Sequence, residues 1–319
     1  MLNRRILRIK AFKTLYGGVL SGNMSLSEAE AQLEISCESA RDLYIYMLGI
    51  ISPLTAFAKD RIEAAKAKFN PTEEERNPNT KFADNALAQL LDADADFQKV
   101  FNKKKFSWGQ YDLVLKKIFQ SISEKDYYKE YMSSEQRSLS EDCALFTRIF
   151  EEEMVDCVEL ENVLEDKSLY WNDDLAYSLT WCCKILKSLA KGERWSLIPL
   201  YQSEMLKGDD VESDKYFVRK LLQASFAGYE KYSAMIAESV SGWEKERLFL
   251  TDTVLISMGL AEAVTFPTIP VKVTMNEYVE ISKYYGTPKS RSFVNGLLDR
   301  LMQKLSDEGQ ISKEGKGLL

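Results

Sequence analysis

The sequence predicts an all-α protein, and two observations carry that prediction. Glycine and proline number only 15 and 7 in 319 residues, which is few for a chain of this length. Apolar residues recur three and four positions apart in nearly every long segment, as on one face of a helix. We therefore expect long helices with few interruptions, and the length leaves room for two domains.

The first predicted helix covers residues 3–22. Its buried face is expected to contain Ile6, Ile9, Phe12, Tyr16, Val19 and Leu20. Gly17 and Gly18 are expected to kink or loosen it. Two further helices follow over 25–69, up to the clearest break in the chain at 70–81, which has two prolines and no other apolar residue.

Beyond this break the helical spacing continues. Helices are expected at 82–91, 97–101, 108–122, 126–132, 140–159, 173–189, 197–206, 216–238 and, led by Trp243 and Arg247, up to 262. The region 108–195 is rich in Trp and Tyr. We interpret these aromatic residues as core packing between helices, with a protein-docking surface as the alternative.

The stretch 269–301 predicts a helical hairpin. Gly286 suits the left-handed position after a helix end, Thr287 suits an N-cap and Pro288 a first helical residue. The second helix has one apolar stripe, made of Phe293, Val294, Leu297, Leu298, Leu301, Met302 and Leu305.

This hairpin resembles the C-terminal hallmark of the NusB transcription antitermination family. The matching residues are Ile269, Pro270, Lys272, Val273, Asn276, Glu277, Glu280, Lys283, Gly286, Ser290, Phe293, Val294, Asn295, Gly296, Leu298 and Asp299. The resemblance implies a core of two small helical bundles. That core would be built from residues 1–22 and 213–308, with a helical insertion at 23–212 and a flexible tail at 309–319.

The sequence lacks the residues that several classes of function require. The chain has no histidine, which excludes Ser–His–Asp and Cys–His nucleophiles and the zinc motifs that contain histidine. It has no Gly-rich phosphate loop, and its five cysteines contain no CxxC pair. We expect reduced thiols in a cytoplasmic protein, with no signal peptide, membrane span, catalytic residue, metal or cofactor.

Charge is distributed unevenly along the chain. The net charge is −7, but the first 27 residues contain no acidic residue. The basic residues of this segment are Arg4, Arg5, Arg8, Lys10 and Lys13. From the residues alone, the simpler interpretation is that these charges lie at a solvated helix start and bind nothing specific. The resemblance favours single-stranded RNA, whose phosphates are held by cations while its bases stack on aromatic rings.

The resemblance also implies a function and partners. It implies transcription antitermination of ribosomal RNA operons through boxA-like RNA. A NusE-type small-subunit ribosomal protein, other Nus factors and RNA polymerase would be the protein partners. The candidate RNA-binding residues are Arg4, Arg5, Arg8, Lys10 and Tyr16 at the N-terminus and Thr287, Lys289, Ser290, Arg291 and Phe293 at the hairpin turn. Phe293 could equally be a core residue, and we expect Asn295 and Asp299 to be structural.

Two departures from the family pattern bear on RNA affinity. Ile6 stands where relatives often have arginine, and Lys289 stands where relatives can have an acidic residue. Ile6 lowers the expected affinity, whereas Lys289 favours phosphate. The departure at Ile6 and the acidic remainder of the chain favour the alternative function, a helical protein-interaction scaffold that has lost specific RNA binding. An RNA methyltransferase would need a Gly-rich cofactor domain, which the insert lacks. The Glu277 and Glu280 carboxylates are expected on a solvated, ion-paired face rather than in an acid–base pair.

Overall fold

The structure is a computed structural model that describes residues 1–201, 213–240 and 248–318. Within these residues it contains α-helices, two short 3-10 helices and no strand, which confirms the all-α prediction. The α-helices are α1 Arg4–Ser21, α2 Leu26–Leu48, α3 Ile51–Lys66, α4 Glu73–Arg76, α5 Ala86–Ala93, α6 Ala95–Lys103, α7 Asp112–Glu124, α8 Asp126–Ser133, α9 Leu139–Glu152, α10 Val158–Lys167, α11 Leu175–Ala190, α12 Asp214–Ser239, α13 Leu250–Thr265, α14 Val271–Tyr285 and α15 Ser290–Asp307. Among the helices so described, none has both the length and the apolar composition of a membrane span.

The chain divides into two compact units. The first, here called the core unit, comprises Met1–Cys37 and Pro199–Leu319, and the second, the insertion unit, comprises Glu38–Ile198. The boundaries predicted from the sequence lie at residues 22 and 212, in segments expected to be loops. The structure instead places the first boundary inside α2, which contributes residues to both units.

Helix α13 is the centre of the core unit. Twelve consecutive residues, from Asp252 to Ala263, are buried. It packs against α1, α12, α14 and α15. A helix that is apolar on all sides needs neighbours on all sides, so α13 determines how the surrounding helices are placed.

The insertion unit has an aromatic core. The Tyr46 ring stacks on Trp108 with centroids 4.3 Å apart and on Trp171 at 5.3 Å. Phe82 similarly stacks on Phe146 at 5.8 Å. Most of the Trp and Tyr residues of this unit are thus packing residues, although Tyr170 remains 39% exposed.

Three local expectations differ from the structure. Helix α1 runs without interruption through Gly17 and Gly18. The helix expected over 140–159 ends at Glu152, and α10 begins at Val158. The break at 70–81 contains one helical turn, in which Thr72 and Glu75 form a capping box. The region 202–206 of another expected helix, together with Trp243 and Arg247, lies outside the described residues.

The segment predicted as a flexible tail is mostly exposed, but it is anchored to the core unit at a few residues. Lys313 Nζ donates hydrogen bonds to the carbonyls of Ala263 and Phe266 at 2.8 and 2.9 Å. The Ile311 side chain is only 8% exposed. The last carbonyls of a helix have no partner within it, and an ammonium group at the C-terminus of α13 satisfies them.

Candidate nucleic-acid interface

The N-terminal arginines begin α1 and face several neighbours. Asn3 caps the helix by accepting a hydrogen bond from the Ile6 amide at 3.0 Å. Arg4 and Arg8 are one turn apart, and both guanidinium groups lie over the Phe217 ring, at 4.7 and 5.2 Å from its centroid. Arg4 also contacts the Asp214 carboxylate at 3.3 Å. The first turn of α1 is thereby held against the start of α12.

Arg8 is part of a buried polar network. Its guanidinium donates two hydrogen bonds to the Glu262 carboxylate, at 2.7 and 2.6 Å. The Thr274 and Tyr278 hydroxyls donate to the same carboxylate at 2.9 and 3.1 Å. Burial opposes the charge of Arg8, but the charge and hydrogen bonds of Glu262 raise its pKa above the usual value. Arg8 is 3% exposed, so it offers almost no surface to RNA.

Arg5 is the most accessible arginine of this segment. It forms a bidentate pair with Glu277 of α14, at 2.8 and 2.7 Å, and its side chain is 49% exposed. The hydrogen bond from Arg5 lowers the pKa of Glu277. A groove of about 580 Å³ lies beside this pair, with walls that include Asn3, Arg4 and Pro270. Arg5 and Glu277 therefore line a surface cleft.

The second half of α1 lies against the end of α14. The Phe12 ring is 5.4 Å from Tyr285 and 6.0 Å from Tyr16, which is half-buried. Lys13 Nζ lies 5.5 Å from the centroid of the Tyr285 ring. Lys10, by contrast, is 1% exposed. Of the predicted residues Lys10 and Tyr16, only Tyr16 has accessible surface.

The hairpin turn is closed by Ser290. Its hydroxyl oxygen accepts a hydrogen bond from the Thr287 amide at 2.8 Å, and the hydroxyl donates to Asp252 at 2.9 Å. Ser290 is 1% exposed. Burial raises the pKa of Asp252, which has one oxygen without a hydrogen-bond partner. Ser290 and Asp252 thus hold the turn in place through buried hydrogen bonds.

Two details of the turn chemistry were wrong. Gly286 has φ −97° and ψ −175°, which is extended rather than left-handed. A Cβ at this position would lie 2.4 Å from the Ser290 Cβ and 2.7 Å from the Ser282 carbonyl oxygen, so glycine is needed for close approach. Helix α15 begins at Ser290 rather than at Pro288, and Thr287 does not act as its N-cap.

The outer face of the turn bears the accessible candidates. Lys289 and Arg291 are exposed, while Thr287 and Phe293 are half-buried. Lys289 forms no ion pair with any described residue. Asn295 and Asp299 are also exposed, although we expected structural roles for them. The pair Glu280–Lys283 lies on the solvated face of α14, as expected.

The structure adds one residue that the sequence argument overlooked. Tyr284 is 80% exposed. It lies seven residues after Glu277 and four after Glu280, on the same face of α14. The sequence could have indicated Tyr284 by this spacing and by its position outside the apolar stripe of α14.

The fold and this surface define a helical protein with a candidate interface of cations and aromatic rings, and comparison with known proteins gives its family. The family model described as NusB matches residues 184–303. The transcription antitermination protein NusB of Salinibacter ruber is 33% identical over 111 residues, which are 35% of this chain and 69% of that protein. The chain belongs to the NusB family.

Two further NusB proteins agree. Those of Chloroherpeton thalassium and Syntrophotalea carbinolica are 33% and 35% identical over 114 and 103 residues, or 35% and 32% of this chain. The matched part spans 54% and 64% of their own lengths. No solved structure matches. The family match does not include residues 1–22, so the assignment of α1 to the family core remains a prediction.

Proposed function

We propose that the protein is a transcription antitermination factor. It binds boxA-like single-stranded RNA of ribosomal RNA operons together with a NusE-type ribosomal protein. Other Nus factors and RNA polymerase then join the complex in the cytoplasm. Family membership supports the general function, since the matched relatives bear the name transcription antitermination protein NusB. It acts by recognition and carries out no catalytic step.

One observation carries the RNA-binding part of this proposal. The Arg5 guanidinium pairs with Glu277 in the middle of α14, while Lys289 and Arg291 lie exposed beyond the C-terminal end of the same helix. From Glu277 the helix runs on to Tyr285, which is about 12 Å at 1.5 Å per residue. A single strand that follows this half of α14 meets cations at both ends of its path, where phosphates need them.

Most of the predicted residues, to which the structure adds Tyr284, divide into two groups in this proposal. Arg4, Arg5, Lys289 and Arg291 bind phosphates, and the aromatic rings of Tyr16, Tyr284 and Phe293 stack on bases. Arg8, Lys10 and Ser290 are buried, and they shape the surface rather than contact RNA. With few free cations, affinity for RNA alone is modest. The ribosomal protein strengthens it because two linked sites act together.

The test is fluorescence anisotropy with a boxA RNA and a scrambled RNA, at two salt concentrations, with and without the NusE-type protein. We expect boxA to bind more tightly and the partner to increase the difference. Replacement of Arg5, Lys289 and Arg291 by Gln should remove most of the boxA affinity, because these cations bind phosphates. A control with Lys59, Lys116 and Lys184 changed to Ala removes three exposed cations of the insertion unit and should retain it.

The second candidate is a protein-interaction scaffold without specific RNA binding. The ion pairs of Arg4 with Asp214 and of Arg5 with Glu277 favour it, because a paired arginine has less attraction for phosphate. Equal binding of both RNAs in the presence of the partner would support the scaffold and contradict the antitermination proposal. Binding of the ribosomal protein without any RNA would support it further.

A further inference from the structure

The insertion unit has a groove of about 990 Å³ between α6 and the segment after α11. Its walls include Lys99 and Lys103 of α6, together with Arg194 and Trp195. Lys99 and Lys103 are one helical turn apart, so both side chains lie on the same face. The groove thus combines three cations with a tryptophan.

None of these three cations is ion-paired within the described part of the chain. Lys99, Lys103 and Arg194 are exposed and form no ion pair there. Their neighbours behave differently. Lys104, next to Lys103, pairs with Asp42 at 2.7 Å. Lys187, in the helix before Arg194, pairs with Glu151 at 2.6 Å.

Two acidic residues of the groove oppose these cations only in part. The Asp94 carboxylate caps α6 by accepting a hydrogen bond from the Phe97 amide at 2.6 Å. Asp96 lies in the first turn of the same helix, where the helix dipole favours a negative charge. Both carboxylates are therefore at the start of α6, and Lys103 is its last residue. The wall toward the end of α6 is positive.

Trp195 makes this a site for a planar ligand as well as an anion. Its ring meets the Phe97 ring edge to face, with centroids 6.3 Å apart at 69°. The residue is half-buried, so the ring is held in place and part of it stays accessible. Arg194 beside it can both stack on a base and bind phosphate. Cations combined with an accessible tryptophan are typical of surfaces that bind single-stranded nucleic acid.

We propose that this groove is a second RNA-binding site, for single-stranded RNA that flanks the boxA-like segment. The inference rests on the proposed function, because that function supplies a strand already bound to the protein. The three cations bind phosphates and Trp195 stacks on a base. An acidic peptide would use the cations but would gain nothing comparable from the indole, so RNA is the better fit.

The experiment uses the full chain and two RNAs, a short boxA RNA and the same RNA with uridine flanks on both sides. In the wild type the flanks should raise affinity by tenfold or more, on the order expected for linked sites. Replacement of Lys99, Lys103 and Arg194 by Ala should remove this gain and lower the salt slope by about 2, at about 0.7 per phosphate. The triple Ala control at Lys59, Lys116 and Lys184 should keep it.

Trp195 gives an independent readout. Trp195→Ala should lose at least about fivefold of the flank-dependent affinity, the lower bound for one stacked base, and Trp195→Phe should lose much less. No gain from the flanks, or an equal loss in both triple variants, overturns the proposal. So does displacement of the flanked RNA by poly-glutamate down to the affinity of the short RNA. If the short boxA RNA itself does not bind, the proposed function fails instead.

Discussion

Arg8 and Glu262 are 254 positions apart in the chain, yet their side chains form a bidentate pair at 2.7 and 2.6 Å inside the core unit. Both side chains are almost fully buried, at 4% and 0% exposure. A buried carboxylate needs several hydrogen bonds to offset its lost hydration. Glu262 accepts four, from Arg8, Thr274 and Tyr278.

Breaking this pair should destabilise the protein strongly. Arg8→Ala and Glu262→Ala should each lower the free energy of unfolding by about 3–5 kcal/mol, because each removes the bidentate partner of a buried charge. The double variant should lose less than the sum. Urea unfolding measures all three. Arg148→Ala, which breaks an exposed pair with Glu152, should cost less than about 1 kcal/mol. A similarly small effect of Arg8→Ala would contradict the structural role.

Releasing Arg5 should strengthen RNA binding. Glu277→Gln removes the carboxylate that holds Arg5, so affinity for boxA RNA should rise about two- to fivefold, the range for an exposed pair. Arg5→Gln should weaken binding and lower the salt slope by about 0.7. Anisotropy titrations at several salt concentrations measure both. Glu152→Gln in the insertion unit is the control. An affinity rise of the same size in that variant would contradict the explanation that release of Arg5 strengthens binding.

The same pair predicts a pH dependence of stability. The hydrogen bond from Arg5 lowers the pKa of Glu277 below its usual 4.5 in the folded protein. Its contribution is therefore fully present above the unfolded pKa and is lost as the pH falls through the folded value. The stability difference between wild type and Glu277→Gln should shrink on acidification from neutral pH to below about 4. A difference that is constant over this range would show that the pair does not matter.

Gly286 should tolerate no side chain. In Gly286→Ala the new methyl group would lie 2.4 Å from the Ser290 Cβ, so the turn must shift. A loss of about 1–3 kcal/mol is expected, as for other overpacked sites. Gly296→Ala is the matched control, because nothing lies within 4 Å of its Cβ position in α15. It should stabilise by about 0.5–1 kcal/mol. Thermal or urea unfolding distinguishes the two.

Tyr284 should affect RNA binding without affecting stability. Its side chain is 80% exposed, so Tyr284→Ala removes little packing. If a base stacks on it, binding should weaken by about 1–3 kcal/mol, and Tyr284→Phe should restore most of this. Tyr170→Ala, an exposed tyrosine of the insertion unit, is the control. Unchanged boxA affinity in Tyr284→Ala would remove this residue from the proposed surface.

The helical fold was predictable because it depends on local spacing. The apolar period of 290–305 and the scarcity of glycine and proline are properties of short windows, and the helices follow them closely. Turn details were less predictable. Gly286 is constrained by the Ser290 side chain across the turn, and a preference for the left-handed region says nothing about such contacts.

For the candidate site, the sequence predicted the types of residue but not which of them are accessible. A run of basic residues indicates charge, but the Arg8 and Lys10 side chains are both buried, on different faces of α1. The partner of Arg8 is an acidic residue in the apolar stretch 248–266, far along the chain. An acid within a buried helix is a signal that a basic partner exists somewhere, but the sequence does not show which one. Tyr284 and the groove around Trp195 required exposures and neighbours that only the fold supplies.

The network around Glu262 also has a consequence for synthesis. Helix α1 emerges from the ribosome about 10–50 s before residues 250–285, at the usual 5–20 residues per second. The whole of 38–198 is translated in between. The arginines of α1 must therefore wait without their carboxylate partners while the intervening unit folds. During that interval the nascent chain presents its most basic segment unneutralised, next to ribosomal RNA.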